Sequence, residues 1–271
     1  MTPFQILEVV GIGGLAGALG AVLGLGGGIF LVPFLVAIVG LPFPAARGIS
    51  LMTVIATSGA VTTGSASRQL VNMRLAMLLQ IAAAAGGLTG GVTSHALSER
   101  TLTAMFGVTM AGIAVVMMTR LTRRNILEAN VVPGKFGGRV FDPDTGQVVS
   151  YRVKRTPLAV IVSFVGGNLS SLLGIGGGIL VVPALNAWCG VPLRVAAATS
   201  SLMIGVTAVS AAPIYYARGE IVAPLAAGGV IGVLIGSRVG LRLGVKTSTR
   251  TLKVLMIAVL LTVSVVMFTR L

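Results

Sequence analysis

The sequence predicts an all-α polytopic membrane protein made of two inverted-topology repeats, with about eight to ten membrane helices, some of them short or re-entrant. Three observations carry this prediction. Of 271 residues, 55% are apolar and only 10% charged, against roughly 25% charged in a soluble domain; mean hydropathy is +1.01. The apolar residues fall in blocks of about 20, the length a helix needs to cross a bilayer core. A motif also recurs: residues 24–33 read GLGGGIFLVP and residues 174–183 read GIGGGILVVP, seven identities in ten positions at an offset of 150.

Composition excludes several classes. A soluble globular enzyme and a disordered chain are both too polar to match it. Glycine is 38 of 271 residues, and it lets membrane helices pack closely or break. The single cysteine, Cys189, excludes an internal disulfide, and the single histidine, His95, makes a haem or His-based metal site a poor expectation. No cofactor is expected. A net charge of +14 reads as topology, because Lys and Arg gather in cytoplasmic loops. Nucleic acid is not an expected partner. The apolar stretch Ile6–Leu23 lacks a basic leader and is read as part of the fold.

The elements follow in order. The first copy, 1–120, opens with an apolar run at 5–23 that ends in the glycine cluster. A short run with a proline, 29–40, is next; full-length spans are expected at 45–66, 74–94 and 101–120. Residues 121–156 are polar and alternate around Asp142 to Gly146, the pattern of a small β-hairpin outside the bilayer. The second copy, 157–271, repeats the plan: 157–173, a short run at 179–189, then 195–217, 222–243 and 250–270. The short runs either re-enter on one side or cross as tilted spans. Gly228, Gly232, Gly236, Gly240 and Gly244 form a smooth ridge for a neighbouring helix, matched by Gly86, Gly90, Ser94 and Ser98.

Either way each copy crosses an odd number of times, so the second must lie upside down relative to the first. Charge supports this. With 121–156 in the cytoplasm, 16 Lys and Arg fall inside and four outside, namely Arg47, Arg100, Arg218 and Arg270. Both termini are then outside the inner membrane.

Inverted repeats with discontinuous helices are a recurring plan for secondary transporters. Each glycine cluster precedes a helix start. There, exposed N–H groups and the positive end of the helix dipole favour an anion. Three consecutive glycines before a proline-bearing helix suit a break better than a packing ridge. The expected substrate site is therefore built from Gly26, Gly27, Gly28, Gly176, Gly177 and Gly178.

The paired GLGGGIFLVP and GIGGGILVVP motifs are each followed by Gly-x-Pro and an Ala-rich segment with serine, ARGIS at 46–50 and AATSS at 197–201. In these features the chain resembles the sulfite exporter TauE/SafE family over nearly its whole length, with 121–156 as an insert. The resemblance implies a carrier of small sulfur-containing anions such as sulfite, thiosulfate or organosulfonates. Gly48-Ile49 stands where the second copy has Ala198-Thr199, a departure from a symmetric hydroxyl pair.

Individual side chains extend the expected site. Ser50, Thr199 and Ser200 can donate hydroxyls to anion oxygens, or bond back to their own backbone. Asn168 and Asn186 flank the second motif; a buried amide needs a partner, and Asn168 is the preferred ligand of the two. Arg47 and Arg194 can clamp an anion, although an arginine at a span end more commonly snorkels to the interface. Glu8 and Glu220 lie near span ends, which disfavours proton coupling through them. A negative interior already drives anions outward by about 2.3 kcal/mol per charge per 100 mV. The expected function is a secondary transporter, a probable exporter by the family name, alternating access around the two breaks. An anion channel and a non-transporting assembly subunit are the alternatives. No catalytic constellation is found, so an enzyme is not expected.

Overall fold

The structure, a computed structural model, describes residues 3–23, 26–63, 70–119, 132–142, 147–246 and 249–269. Gly24 and Leu25 of the first motif, and residues 143–146 of the expected hairpin turn, lie outside them. The first half holds α1 (Pro3–Leu23), α2 (Gly28–Ala37), α3 (Phe43–Thr63), α4 (Met73–Thr93) and α5 (Glu99–Thr119). An antiparallel hairpin follows, β1 (Gly138–Asp142) and β2 (Gln147–Tyr151), with Val140 opposite Val149. The second half repeats the helices as α6 (Thr156–Leu173), α7 (Gly178–Ala187), α8 (Leu193–Ala217), α9 (Ala223–Lys246) and α10 (Thr249–Phe268). Among the described residues, six helices are long and apolar enough to cross a membrane: α1, α4, α5, α6, α8 and α9. Their outer faces carry exposed Leu7, Leu15, Ile81, Ile161 and Ile235. Such surfaces suit lipid, which makes no demand for polar cover.

Packing exchanges partners between the halves. The first helix of each half lies along the fourth helix of the other, α1 on α9 and α6 on α4. Ile6 and Val10 meet Gly228 on one seam, and Ala18 meets Gly240. Phe164 meets Gly86 on the other, and Asn168 meets Gly90. A methyl on Gly236 would overlap the Gly14 carbonyl oxygen, and one on Gly86 would overlap that of Phe164. These glycines let two backbones touch, as the ridge pattern implies.

The third helices, α3 and α8, cross at the centre and run in opposite directions. Ser58, late in α3, donates to the Ser201 carbonyl, early in α8. Arg47, early in α3, pairs with Glu220, just past the end of α8.

These contacts also sort the connections to two ends. Arg47 and Glu220 lie at one, the α1 end, with Arg218, which donates to the Gly91 carbonyl and Ser94 Oγ at the end of α4. The Phe43 N–H bonds Glu99 at the start of α5 there. The other is the hairpin end. Asn72 caps α4 by accepting from the Leu75 N–H and donates to the Phe136 carbonyl and the Tyr151 hydroxyl. Burial pushes the Tyr151 phenol up, and the Asn72 bond partly offsets this.

The short helices re-enter. Ten residues rise only about 15 Å, half the hydrocarbon core. The Lys154 N–H, just before α6, bonds the Cys189 carbonyl, just after α7. The arm α6–α7 therefore starts and finishes at the hairpin end. In the first half, α2 begins beside Ala16 and Gly20 of α1 and leads to Phe43 at the α1 end. Both short helices are buried along most of their length, as non-spanning backbone in a membrane must be.

Gly236→Ala should destabilise the protein by about 1–3 kcal/mol through overpacking. Gly112→Ala, where a methyl meets nothing within 4 Å, should be neutral or stabilising by up to about 1 kcal/mol. Thermal unfolding in detergent checks both. Asn72→Ala should loosen the hairpin, read as faster amide exchange in β1 and β2 while that in α8 stays unchanged.

Candidate functional site

The two breaks meet at the middle of the molecule. Gly26 and Gly176 are equivalent across the 150-residue offset and share a left-handed backbone, φ 79° and 80°. Only glycine adopts this readily. A methyl on Gly28 would lie 2.6 Å from Ser50 Oγ and 2.7 Å from the Gly174 carbonyl oxygen. A methyl on Gly26 would lie 3.5 Å from Ile204, and one on Gly176 2.7 Å from it. Val54 and Ile204, another equivalent pair, pack together between the breaks.

Gly27 and Gly177 occupy the N-cap positions of α2 and α7 and supply no side-chain cap. The first turns of both helices thus start at the meeting point with no cap from the N-cap side chain, and in α2 the Phe30 N–H turns back to the Gly27 carbonyl. Thr57 and Thr207 stand beside these starts. Their Oγ1 atoms lie 3.5 and 3.8 Å from where methyls on Gly27 and Gly177 would be. Each donates back to its own helix, to the Thr53 and Met203 carbonyls, so each keeps acceptor capacity. Sequence reading missed this pair, although one signal was present: the same residue at the same offset.

The structure distributes the remaining expected residues unevenly. Ser50 is fully buried and donates across the breaks to the Gly174 carbonyl, 2.5 Å away. Ser200, its equivalent, is fully buried and its hydroxyl has no hydrogen-bond partner among the described residues. Thr199 accepts from the Asn72 N–H. Asn168 donates to Thr89 Oγ1 on the α4–α6 seam, the helix-tying role. Asn186 donates to the Val191 carbonyl and closes the turn after α7. Gly178 opens α7.

Arg47 departs most from expectation. It is 2% exposed, not snorkelled at an interface. Nη2 pairs with Glu220 Oε2 at 2.5 Å and Nη1 donates to the Leu172 carbonyl at 3.2 Å. The guanidinium carbon stands 4.3 Å from the Tyr215 ring centroid. Buried charge needs such partners, and Glu220, 173 positions away, is invisible to local reading. Among the described residues no group of three or more His, Cys, Asp and Glu could hold a metal.

A bundle of membrane-crossing helices, with two half-length helices beginning at a shared centre, defines a polytopic membrane transporter architecture. The chain belongs to the sulfite exporter TauE/SafE family, whose profile matches residues 9–267. It is 30% identical over 225 residues to a probable membrane transporter protein, YunE, of Bacillus subtilis (strain 168), covering 80% of each chain. It is 28% identical over 209 residues to a probable membrane transporter protein of Xylella fastidiosa (strain 9a5c), covering 76% of this chain and 72% of that one. No solved structure matches. The protein is a multi-pass membrane transporter and not an enzyme.

The two equivalent serines should behave differently. Ser50→Ala leaves the Gly174 carbonyl without its donor and should cost about 1–3 kcal/mol. Ser200→Ala removes a hydroxyl that bonds nothing and should leave thermal stability unchanged.

Proposed function

We propose that this transporter carries small sulfur-containing oxyanions, such as sulfite, thiosulfate or organosulfonates, outward across the inner membrane. It does so by alternating access around the paired helix breaks. The observation that carries the reading is the meeting of the two uncapped helix starts at one centre. Together they present N–H groups and two positive dipole ends, which suit a small anion. Gly26, Gly27, Gly28, Ser50, Gly176, Gly177, Gly178 and Ser200 form the proposed site, joined by Thr57 and Thr207. Thr199 and Asn168 are engaged elsewhere and would support it from a distance. The family name adds the sulfur chemistry.

An inverted arrangement of repeats 1–120 and 157–271 is part of the proposal. It is supported by the opposed directions of the equivalent helices α3 and α8 and by the exchange of first and fourth helices. The basic residues fit the same plan: Arg74, Lys135, Arg152, Lys154 and Arg194 belong to the hairpin end. That end is then cytoplasmic, and both termini are outside. A carrier is favoured over a channel because the centre is packed: Gly28 has no room for even a methyl group.

Thermal stabilisation of the purified protein by sulfite, thiosulfate, sulfate, sulfoacetate, taurine, chloride and acetate tests the reading. A ligand that binds only the folded state raises the unfolding temperature, by about 2.7 kcal/mol of stability at a hundredfold excess over Kd. A selective shift with a sulfur oxyanion is expected, and Gly27→Leu and Gly177→Leu should each abolish it. Wild-type shifts in both variants would move the site elsewhere.

A further inference from the structure

The Arg47–Glu220 pair, with Arg47 buried and Glu220 partly exposed, lies on the α1-end side of the proposed site. Arg47 is one helical turn from Ser50, about 4.5 Å along α3. A methyl on Gly174 would lie 2.7 Å from Arg47 Cγ, so the arginine stem covers the second break. The guanidinium binds the end of α6 through the Leu172 carbonyl and the α8–α9 link through Glu220. It also stacks on Tyr215 of α8, whose hydroxyl donates to the Ser171 carbonyl. Gly48, the next residue, presses on the Glu220 carbonyl. The start of α3, the end of α6 and the end of α8 are thus closed around one side chain. A path from the α1 end to the second break along α3 would part them.

Among the described residues, the ion pair is not repeated at the equivalent positions of the hairpin end. The positions equivalent to Arg47 and Glu220 are Ala197 and Leu70. A neutral hydrogen bond from the Asn72 N–H to Thr199 joins the elements there. The ion pair therefore does something that the repeated scaffold does not require. The guanidinium also has capacity in reserve, because Arg47 Nε is buried without a hydrogen-bond partner among the described residues.

We propose that Arg47–Glu220 is an anion-released latch on the α1-end face of the site. An oxyanion at the breaks takes the place of Glu220 on the guanidinium. Parting the pair with nothing to replace it leaves a buried charge unpaired, which is strongly unfavourable. Parting it with an oxyanion present keeps Arg47 paired through its planar fork. The latch thus opens for a loaded site and stays shut for an empty one. The anion half of this proposal rests on the function proposed above; the closure half does not.

The test uses full-length protein in detergent, with Cys189→Ala removing the native thiol and Val54→Cys placing a probe at the centre. Without anion, the probe should be protected from a maleimide. Glu220→Gln should raise its labelling rate about tenfold or more, the scale of one charge-assisted bond. Glu220→Asp, which keeps the charge but shortens the reach, stands in if that variant does not fold. The charge-swapped double variant Arg47→Glu with Glu220→Arg should restore protection. It should still bind sulfite about tenfold or more weakly by thermal shift in the cysteine-intact background. A folded Glu220 variant labelled at the parent rate overturns the latch, even where sulfite binding is normal. A swapped variant that binds sulfite like the wild type shows a structural pair only. Absence of anion binding by the wild type overturns the release step together with the functional reading, whereas the labelling result stands apart from it.

Discussion

In hydrocarbon, each backbone N–H and C=O must find a partner within the protein. A membrane protein in which two helix starts, at Gly27 and Gly177, meet inside the bundle violates this locally and must answer it globally. The breaks answer it through each other and through α3. Ser50 satisfies the Gly174 carbonyl, the Gly27 carbonyl takes N–H groups from Phe30 and Leu31, and the Ser170 carbonyl takes that of Ile175. Bringing the breaks together demands glycine, since a side chain on Gly28 would run into Ser50 Oγ and the Gly174 carbonyl, and one on Gly176 into Ile204 and Val54. Burial of α2 and α7 follows from the same demand.

The longer helices serve this centre by exchanging partners. Helix α1 lies on α9 and α6 on α4, so neither half closes around its own re-entrant arm. Glycine seams allow the approach, and dispersion across touching backbones replaces the hydrophobic driving force that lipid does not supply. The result is one folding unit from two copies of one sequence plan.

The scaffold repeats, and so does the Thr57–Thr207 pair, but several other polar contacts do not. Arg47, Asn72 and Asn168 have Ala197, Val222 and Ala18 at the equivalent positions. Each makes contacts specific to its own end or seam: an ion pair at one end, a docked hairpin at the other, an amide between α4 and α6. The two ends are thus held by different chemistry, an ion pair at one and neutral hydrogen bonds at the other.

Much of this was legible in the chain itself. Hydropathy and block length determined the membrane class. The offset of 150 determined the repeated plan, and Gly27 and Gly177 marked the helix starts, because glycine spacing and apolar length are local properties. The hairpin was legible from its alternation. Whether the short runs span or re-enter was decided only by tertiary contacts, such as Lys154 against Cys189. So was the fate of each polar side chain. Asn168 found Thr89, Ser50 found Gly174, and Arg47 was drawn into the interior by Glu220. Partners 79, 124 and 173 residues away leave no mark on local pattern, and a buried polar group is defined by its partner rather than by its neighbours in sequence.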